Sequence, residues 1–334
     1  MKTGILLVNL GTPDSSNVRD VKKYLKEFLN DPRVIDLPML KRWPIVNLFI
    51  VPFRAARSAK LYEKVWTSNG SPLFHYSLLQ HQLLQKELGS DYQVELAMRY
   101  QSPSIENALE KFRKPVFNSI KVIPLFPQYA SASTGSVHEK IMDVVGKWQV
   151  VPHIEFVNSF HDDKLFIDSW QEVAKKYFEQ QYDHILFSFH GLPERQILKA
   201  DCFNHCLKDG CCDTVTEKNA FCYRAQCFAT ARLIAERFKL EPKDYTICFQ
   251  SRLGKTPWIK PYSDHVITDL AKQSSKRLLV FAPAFVADCL ETIYEIGTEY
   301  NELFKKHGGE KIQMVESLND HPKWIEALAG IAKS

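Results

Sequence analysis

His190 closes an apolar run, Ile185-Leu186-Phe187-Ser188-Phe189, and is followed by Gly191-Leu192-Pro193, a turn that would hold an imidazole at a strand end. A neutral ring in that place can bind a metal ion or take up a proton. Further along, Asp288, Glu291 and Glu295 recur at i, i+3 and i+7, and Glu299 extends the row, so an α-helix would carry them on one acidic face. Like charges at these spacings repel, which leaves two readings: a solvated outer stripe, or a surface with cationic company. The apolar neighbours Phe281, Ala282, Phe285, Val286, Leu290, Ile293 and Ile296 set Asp288 and Glu291 nearer the interior than a solvated stripe would be. One histidine among eleven is ordinarily structural; paired with such a row it becomes a metal or proton site.

A second constellation is made of thiols. Six of the eight cysteines, Cys202, Cys206, Cys211, Cys212, Cys222 and Cys227, fall in one segment, 202–227. No export is indicated, so a metal or redox site is expected over a disulfide framework. The spacing has no paired Cys-x2-Cys knuckles and fits a zinc ribbon poorly, whereas four thiolates also suit an iron–sulfur cluster. Reduced cysteines on a surface loop are the plain alternative. Cys248 and Cys289 sit in apolar runs and read as core residues.

Elements that position these groups are legible as short apolar runs at 4–10, 94–100, 120–126, 154–158, 184–189, 245–250, 277–283 and 311–316. Helical periodicity fills most gaps, at 18–29, 78–88, 164–178, 225–238 and 286–304. Strands apolar on both faces and alternating with helices predict parallel sheets covered by helices. Eight strands divide into two similar α/β domains, each a four-stranded parallel sheet: 1–150, and 151–317 with the cysteine segment inside it. The last helix, 318–334, is expected to pack back on the first domain. In open sheets of this kind ligands bind beyond the carboxyl ends of the strands, where Asn9, Arg99, Tyr100, Gln128, Tyr129, His190, Gln250, Ser251 and the acidic row all fall.

The chain has 334 residues, 45% of them hydrophobic and 25% charged, with a net charge of +4 and no long basic run. Nucleic acid is therefore not the expected partner. The stretch from Trp43 to Phe53 is interrupted by Pro44, Asn47 and Pro52 and is too short to span a bilayer, which needs roughly 20 apolar residues. It reads first as a buried loop or helix and second as a lip in peripheral contact with lipid. A cytoplasmic protein, membrane-associated if that lip touches lipid, is the expectation; oligomeric state is not legible.

Four strings, Leu186–Arg195 (LFSFHGLPER), Phe249–Trp258 (FQSRLGKTPW), Phe281–Ile296 (FAPAFVADCLETIYEI) and Pro124–Tyr129 (PLFPQY), resemble the ferrochelatases. The resemblance covers nearly the whole chain. It implies an enzyme of haem biosynthesis, a lyase that inserts Fe²⁺ into protoporphyrin IX, on two Rossmann-like domains flanking a cleft. By position it makes His190 and Glu291 the catalytic, metal-site pair and puts Glu295 on a metal path. It sets Tyr62, Arg99, Tyr100 and Trp258 around the porphyrin. Aromatic walls and a few cations suit a flat ring with carboxylate tails. Some family members carry Tyr or Met beneath the ring where this chain has Leu10.

The resemblance also extends to bacterial members with a [2Fe-2S] cluster on an internal segment, implying Cys206, Cys212, Cys222 and Cys227 as ligands, with Cys211 or Cys202 as substitutes. Three alternatives stay open at this point: a cobalt or nickel chelatase for a related tetrapyrrole, coproporphyrin as the substrate, and a non-catalytic iron–sulfur or haem-binding regulator.

Overall fold

Ile5, Leu6, Leu7 and Val8 are wholly buried, as a strand flanked on both sides and covered on both faces must be. In the computed structural model, which describes residues 2–113, 116–252, 254 and 256–334, they form the middle of β1 (Lys2–Gly11). Leu253 and Lys255 of the Phe249–Trp258 string lie outside the described residues. Parallel partners β2 (Tyr92–Tyr100) and β3 (Phe117–Pro124) flank β1, and β4 (His153–Phe156) adds to β3, giving the order β2-β1-β3-β4. The second sheet repeats that order with β5 (His184–His190), β6 (Tyr245–Gln250), β7 (Arg277–Phe281) and β8 (Lys311–Met314), as β6-β5-β7-β8, again parallel. Both sheets thus reverse their winding between the first and third strands, the place where open α/β sheets bind ligands.

Helices α1 (Val18–Leu29), α2 (Met39–Pro44), α3 (Val51–Val65), α4 (Pro72–Leu88), α5 (Ile105–Glu110) and α6 (Ser136–Val145) accompany the first sheet. α1 starts where Asn17 accepts a hydrogen bond from the Asp20 amide, and it buries Val21, Tyr24, Leu25 and Leu29 at helical spacing. α7 (Lys164–Ala174), α8 (Glu194–Ala200), α9 (Tyr223–Arg237), α10 (Ser263–Lys272), α11 (Asn301–Lys306) and α12 (Pro322–Lys333) follow. Ile45–Ile50, Ser131–Gly135 and Glu291–Tyr300 are π-helical.

The chain divides into two units: Met1–Phe126 with Ala130–Ser159 and Leu328–Ser334, and Pro127–Tyr129 with Phe160–Ala327. In the first, Leu6, Val8, Val122, Val137 and Ile141 pack one sheet face against α5 and α6. In the second, Leu186, Val280, Ile267, Ile296 and Phe304 do the same beneath α10 and α11.

Two expectations are corrected. Trp43 to Phe53 is not a buried segment: it is helical, and although Val46 and Val51 are buried, Trp43, Leu48, Phe49 and Phe53 are exposed, together with Met39 and Leu40 just before them. The helix expected over 286–304 begins only at Leu290, so Asp288 is not on its face. Asp288 is buried instead in the preceding turn. Its carboxylate accepts from the Ser317 amide at 3.2 Å, the Asn319 side chain at 2.8 Å and the Thr292 hydroxyl at 3.0 Å. A short carboxylate that gathers backbone and hydroxyl donors ends helical geometry rather than joining it.

Candidate active site

His190 is the last residue of β5, and its imidazole is partly buried with Phe285 edge-on, ring centroids 6.4 Å apart. Burial pushes its pKa below the ordinary value; Glu291, whose negative charge opposes that fall, is the charged neighbour that acts on it. The ring is therefore neutral at neutral pH, with a lone pair to offer. Gly191 follows because nothing larger fits: a Cβ there would lie 2.8 Å from the Gln250 carbonyl oxygen and 3.3 Å from the Trp258 indole. Trp258 is partly buried and bridges Pro193 in antiparallel fashion, so the indole stands directly beside the histidine turn.

Glu291 opens the π-helical segment Glu291–Tyr300 from the loop that leaves β7. His190 and Glu291 therefore come from β5 and from the loop after β7, the two strands at the switch point of their sheet. Glu295 is partly buried and Glu299 exposed, so the acidic row runs from solvent inward. The Glu295 carboxylate accepts from the Ser251 amide at 3.0 Å, the Ser251 hydroxyl at 2.6 Å and the Tyr300 hydroxyl at 3.1 Å. Gln250 Nε2 approaches the same carboxylate at 3.4 Å, while its Oε1 accepts from Ser188 at 2.7 Å. Tyr300 is five residues beyond Glu295, a spacing that faces it only where the helix is bonded i to i+5.

Burial pushes Glu295 up to about 7, the Ser251 hydrogen bond opposing and the charge of Glu291 adding to the rise. The folded chain thus keeps a proton over a range in which an unfolded carboxyl, at 4.5, has released it. Stability accordingly falls as the pH rises from about 4.5 to about 7, by on the order of 3 kcal/mol from this group. Glu295→Gln is expected to remove that slope, read as urea midpoints at about pH 5 and about pH 7.5; an unchanged slope would assign the proton elsewhere.

In the first unit, Arg99 and Tyr100 end β2 facing inward. Tyr100 is wholly buried, and its hydroxyl donates to Asp31 at 2.9 Å. The Arg99 guanidinium pairs with the same carboxylate at 2.7 Å and donates to the Ser136 hydroxyl at 2.6 Å. Asp31 thus takes both the Tyr100 hydroxyl and the charge of Arg99. Tyr62 is partly buried on α3, edge-on to Tyr24 and Trp66. Leu10 lies partly buried in β1 and packs on the cluster around α1 and α3.

Cys206, Cys211, Cys212, Cys222 and Cys227 are buried, while Cys202 is exposed. Their thiols gather: Cys222 interacts with both Cys206 and Cys212, the sulfurs of Cys211 and Cys212 lie 3.6 Å apart, and Cys212 acts on Cys227. Arg224 Nη1 donates to Cys212 Sγ at 3.1 Å. Among the described residues, no group of three or more His, Cys, Asp or Glu side chains is arranged to hold a metal ion.

The sequence signal for His190, Glu291 and the cysteines was their type and context. Nothing comparable marked Ser251, Tyr300 or Asp31 as the partners that hold charged groups, because each pairing joins separate elements or depends on π-helical spacing.

A family model described as ferrochelatase matches residues 2–334. A curated ferrochelatase of Legionella pneumophila (strain Lens) is 44% identical over 331 residues, 99% of this chain and 98% of the relative. One of Coxiella burnetii (strain Dugway 5J108-111) is 43% identical over 334 residues, covering 99% and 93%. Among solved structures, SirB from Bacillus subtilis with Fe3+ matches all of this chain and 95% of its own with a TM-score of 0.53 at 16% identity, a likeness of fold.

Proposed function

The chain belongs to the ferrochelatase family, and on that premise we propose that it inserts Fe²⁺ into protoporphyrin IX to give protohaem, with His190 and Glu291 acting on the metal and the pyrrole protons between them. The observation that carries this reading is the partly buried imidazole at the end of β5, at the switch point of its sheet, with Glu291 from the loop after β7 as its charged neighbour. Insertion exchanges two pyrrole protons for one dipositive ion, so the site must take protons and loosely hold a hydrated metal at once. A neutral histidine and a carboxylate offer both functions. Glu299, Glu295 and Glu291 form a graded row along which Fe²⁺ can enter and protons can leave, Glu295 being poised near neutrality for the second task. Trp258, packed against the histidine turn, gives the porphyrin an aromatic surface beside His190. Competition among Fe²⁺, Co²⁺ and Ni²⁺, run with protoporphyrin and with coproporphyrin, tests this assignment; preference for a metal other than Fe²⁺ or for the tetracarboxylate ring would overturn it.

The cysteine segment is read as the seat of a [2Fe-2S] cluster. Its donor set suits one: four buried thiols, Cys206, Cys212, Cys222 and Cys227, interact with one another, and Cys211 stands as the substitute nearest to hand. Such a cluster would supply a structural clip or sensor, since metal insertion moves no electrons. Protein purified without oxygen is expected to absorb in the visible and to contain iron and acid-labile sulfide in equal amounts. Colourless protein free of both would remove the cluster from the account.

We also propose peripheral membrane contact, a reading that the exposed helix supports. Met39, Leu40, Trp43, Phe49 and Phe53 face solvent, and the interval from Leu37 to Tyr62 holds Lys41, Arg42, Arg54, Arg57 and Lys60 with no acidic residue. Apolar side chains flanked by cations match an anionic lipid surface. No described helix is long and apolar enough to cross a membrane. Leu40→Glu with Phe53→Glu is expected to abolish co-sedimentation with vesicles containing anionic phospholipid while leaving insertion into detergent-dispersed porphyrin unchanged; undiminished vesicle binding would contradict the assignment.

A further inference from the structure

Tyr223 opens α9 directly after Cys222, and its buried hydroxyl donates to the backbone carbonyl of His190 at 2.9 Å. β5 outruns its neighbour here: β7 pairs with it only as far as Phe187 opposite Phe281, so the last residues of β5 have no strand on that side. The phenol supplies a fixed donor where the ladder has ended. The same hydroxyl interacts with the thiol of Cys227, one turn along α9. Arg224, the next residue, donates to Cys212 Sγ at 3.1 Å and to the Lys260 carbonyl at 3.3 Å. Lys260 follows Ile259, whose amide donates to Leu192 at 2.9 Å, in the segment that bridges the histidine turn through Trp258. The first turn of α9 therefore grips the histidine turn from two sides while carrying the cysteine segment on its own side chains.

We propose that Tyr223 is a positioning residue for metal insertion, fixing the His190 strand end from the first turn of α9 and tying the place of the imidazole to the cysteine segment. The assignment rests on the role given to His190 above. Positioning to within fractions of an ångström governs rate more than affinity, because a displaced group still lets substrate bind but no longer meets it in line.

Tyr223→Phe removes the hydroxyl and keeps the ring. We expect kcat to fall roughly tenfold, with KM for porphyrin within about twofold of the native value. The ring ¹⁵N signals of His190, identified by their loss in His190→Ala, are expected to shift in the same variant. Native kcat and unmoved signals in Tyr223→Phe overturn the proposal. An active His190→Ala enzyme overturns the reading beneath it instead, so the two failures are distinct.

Discussion

His190→Ala is expected to lower the rate of iron insertion by on the order of 10² to 10⁴, the range over which a positioned proton acceptor or ligand contributes. The protein should otherwise remain itself. The imidazole is only partly buried at a strand end, and its backbone carbonyl bond to Tyr223 survives the substitution, so urea stability should change by no more than about 1 kcal/mol. Circular dichroism and a urea midpoint measured alongside activity separate loss of chemistry from loss of fold. Porphyrin binding, read by fluorescence, should be retained because the Trp258 surface is untouched. Near-native turnover in a folded variant would remove His190 from the mechanism.

The second large effect is expected at Glu291. Glu291→Gln keeps the shape of the side chain and removes its charge, taking away the one influence that holds the His190 pKa up against burial. The imidazole pKa then falls further. The acid limb of the pH–rate profile, where His190 takes up a proton and stops working, should therefore move to lower pH, together with a loss in kcat of about a hundredfold. A profile with an unmoved acid limb would separate the two residues. The pattern distinguishes Glu291 from Glu295, whose substitution is expected to act on the pH dependence of stability through a carboxyl pushed up to about 7.

Much of the architecture was written in the apolar runs. Uninterrupted Ile5-Leu6-Leu7-Val8 and Leu278-Leu279-Val280-Phe281 announce strands covered on both faces, and such strands are parallel because helices must do the covering. His190 was legible for the same reason: a polar ring at the end of such a run stands where parallel sheets open to ligands.

The start of the acidic helix was not legible. Asp288 belongs by spacing to the row of Glu291 and Glu295, but it is held by Ser317 and Asn319, whose approach is a tertiary event. Nor does a sequence period reveal i to i+5 bonding, which brings Tyr300 onto Glu295. The fate of Arg99 and Tyr100 depends in the same way on Asp31, many residues earlier in the chain, whose carboxylate takes both. Residue type singled out the candidate groups, and long-range hydrogen bonds decided which partners Asp288, Glu295, Arg99 and Tyr100 take.

The exposed helix illustrates the opposite failure. An apolar stretch is expected to be buried, and the expectation fails here because the apolar side chains face away from the protein, where only a partner of apolar character would cover them.

Anaerobic stopped-flow mixing of the protein and protoporphyrin IX with Fe²⁺, following free-porphyrin fluorescence alongside a pH indicator, tests the central claim most directly. Fluorescence is expected to fall to the haem level with release of two protons for each iron inserted, and both signals should be lost together in His190→Ala. Fluorescence that persists with the native protein, or an unaltered decay in the alanine variant, would contradict it.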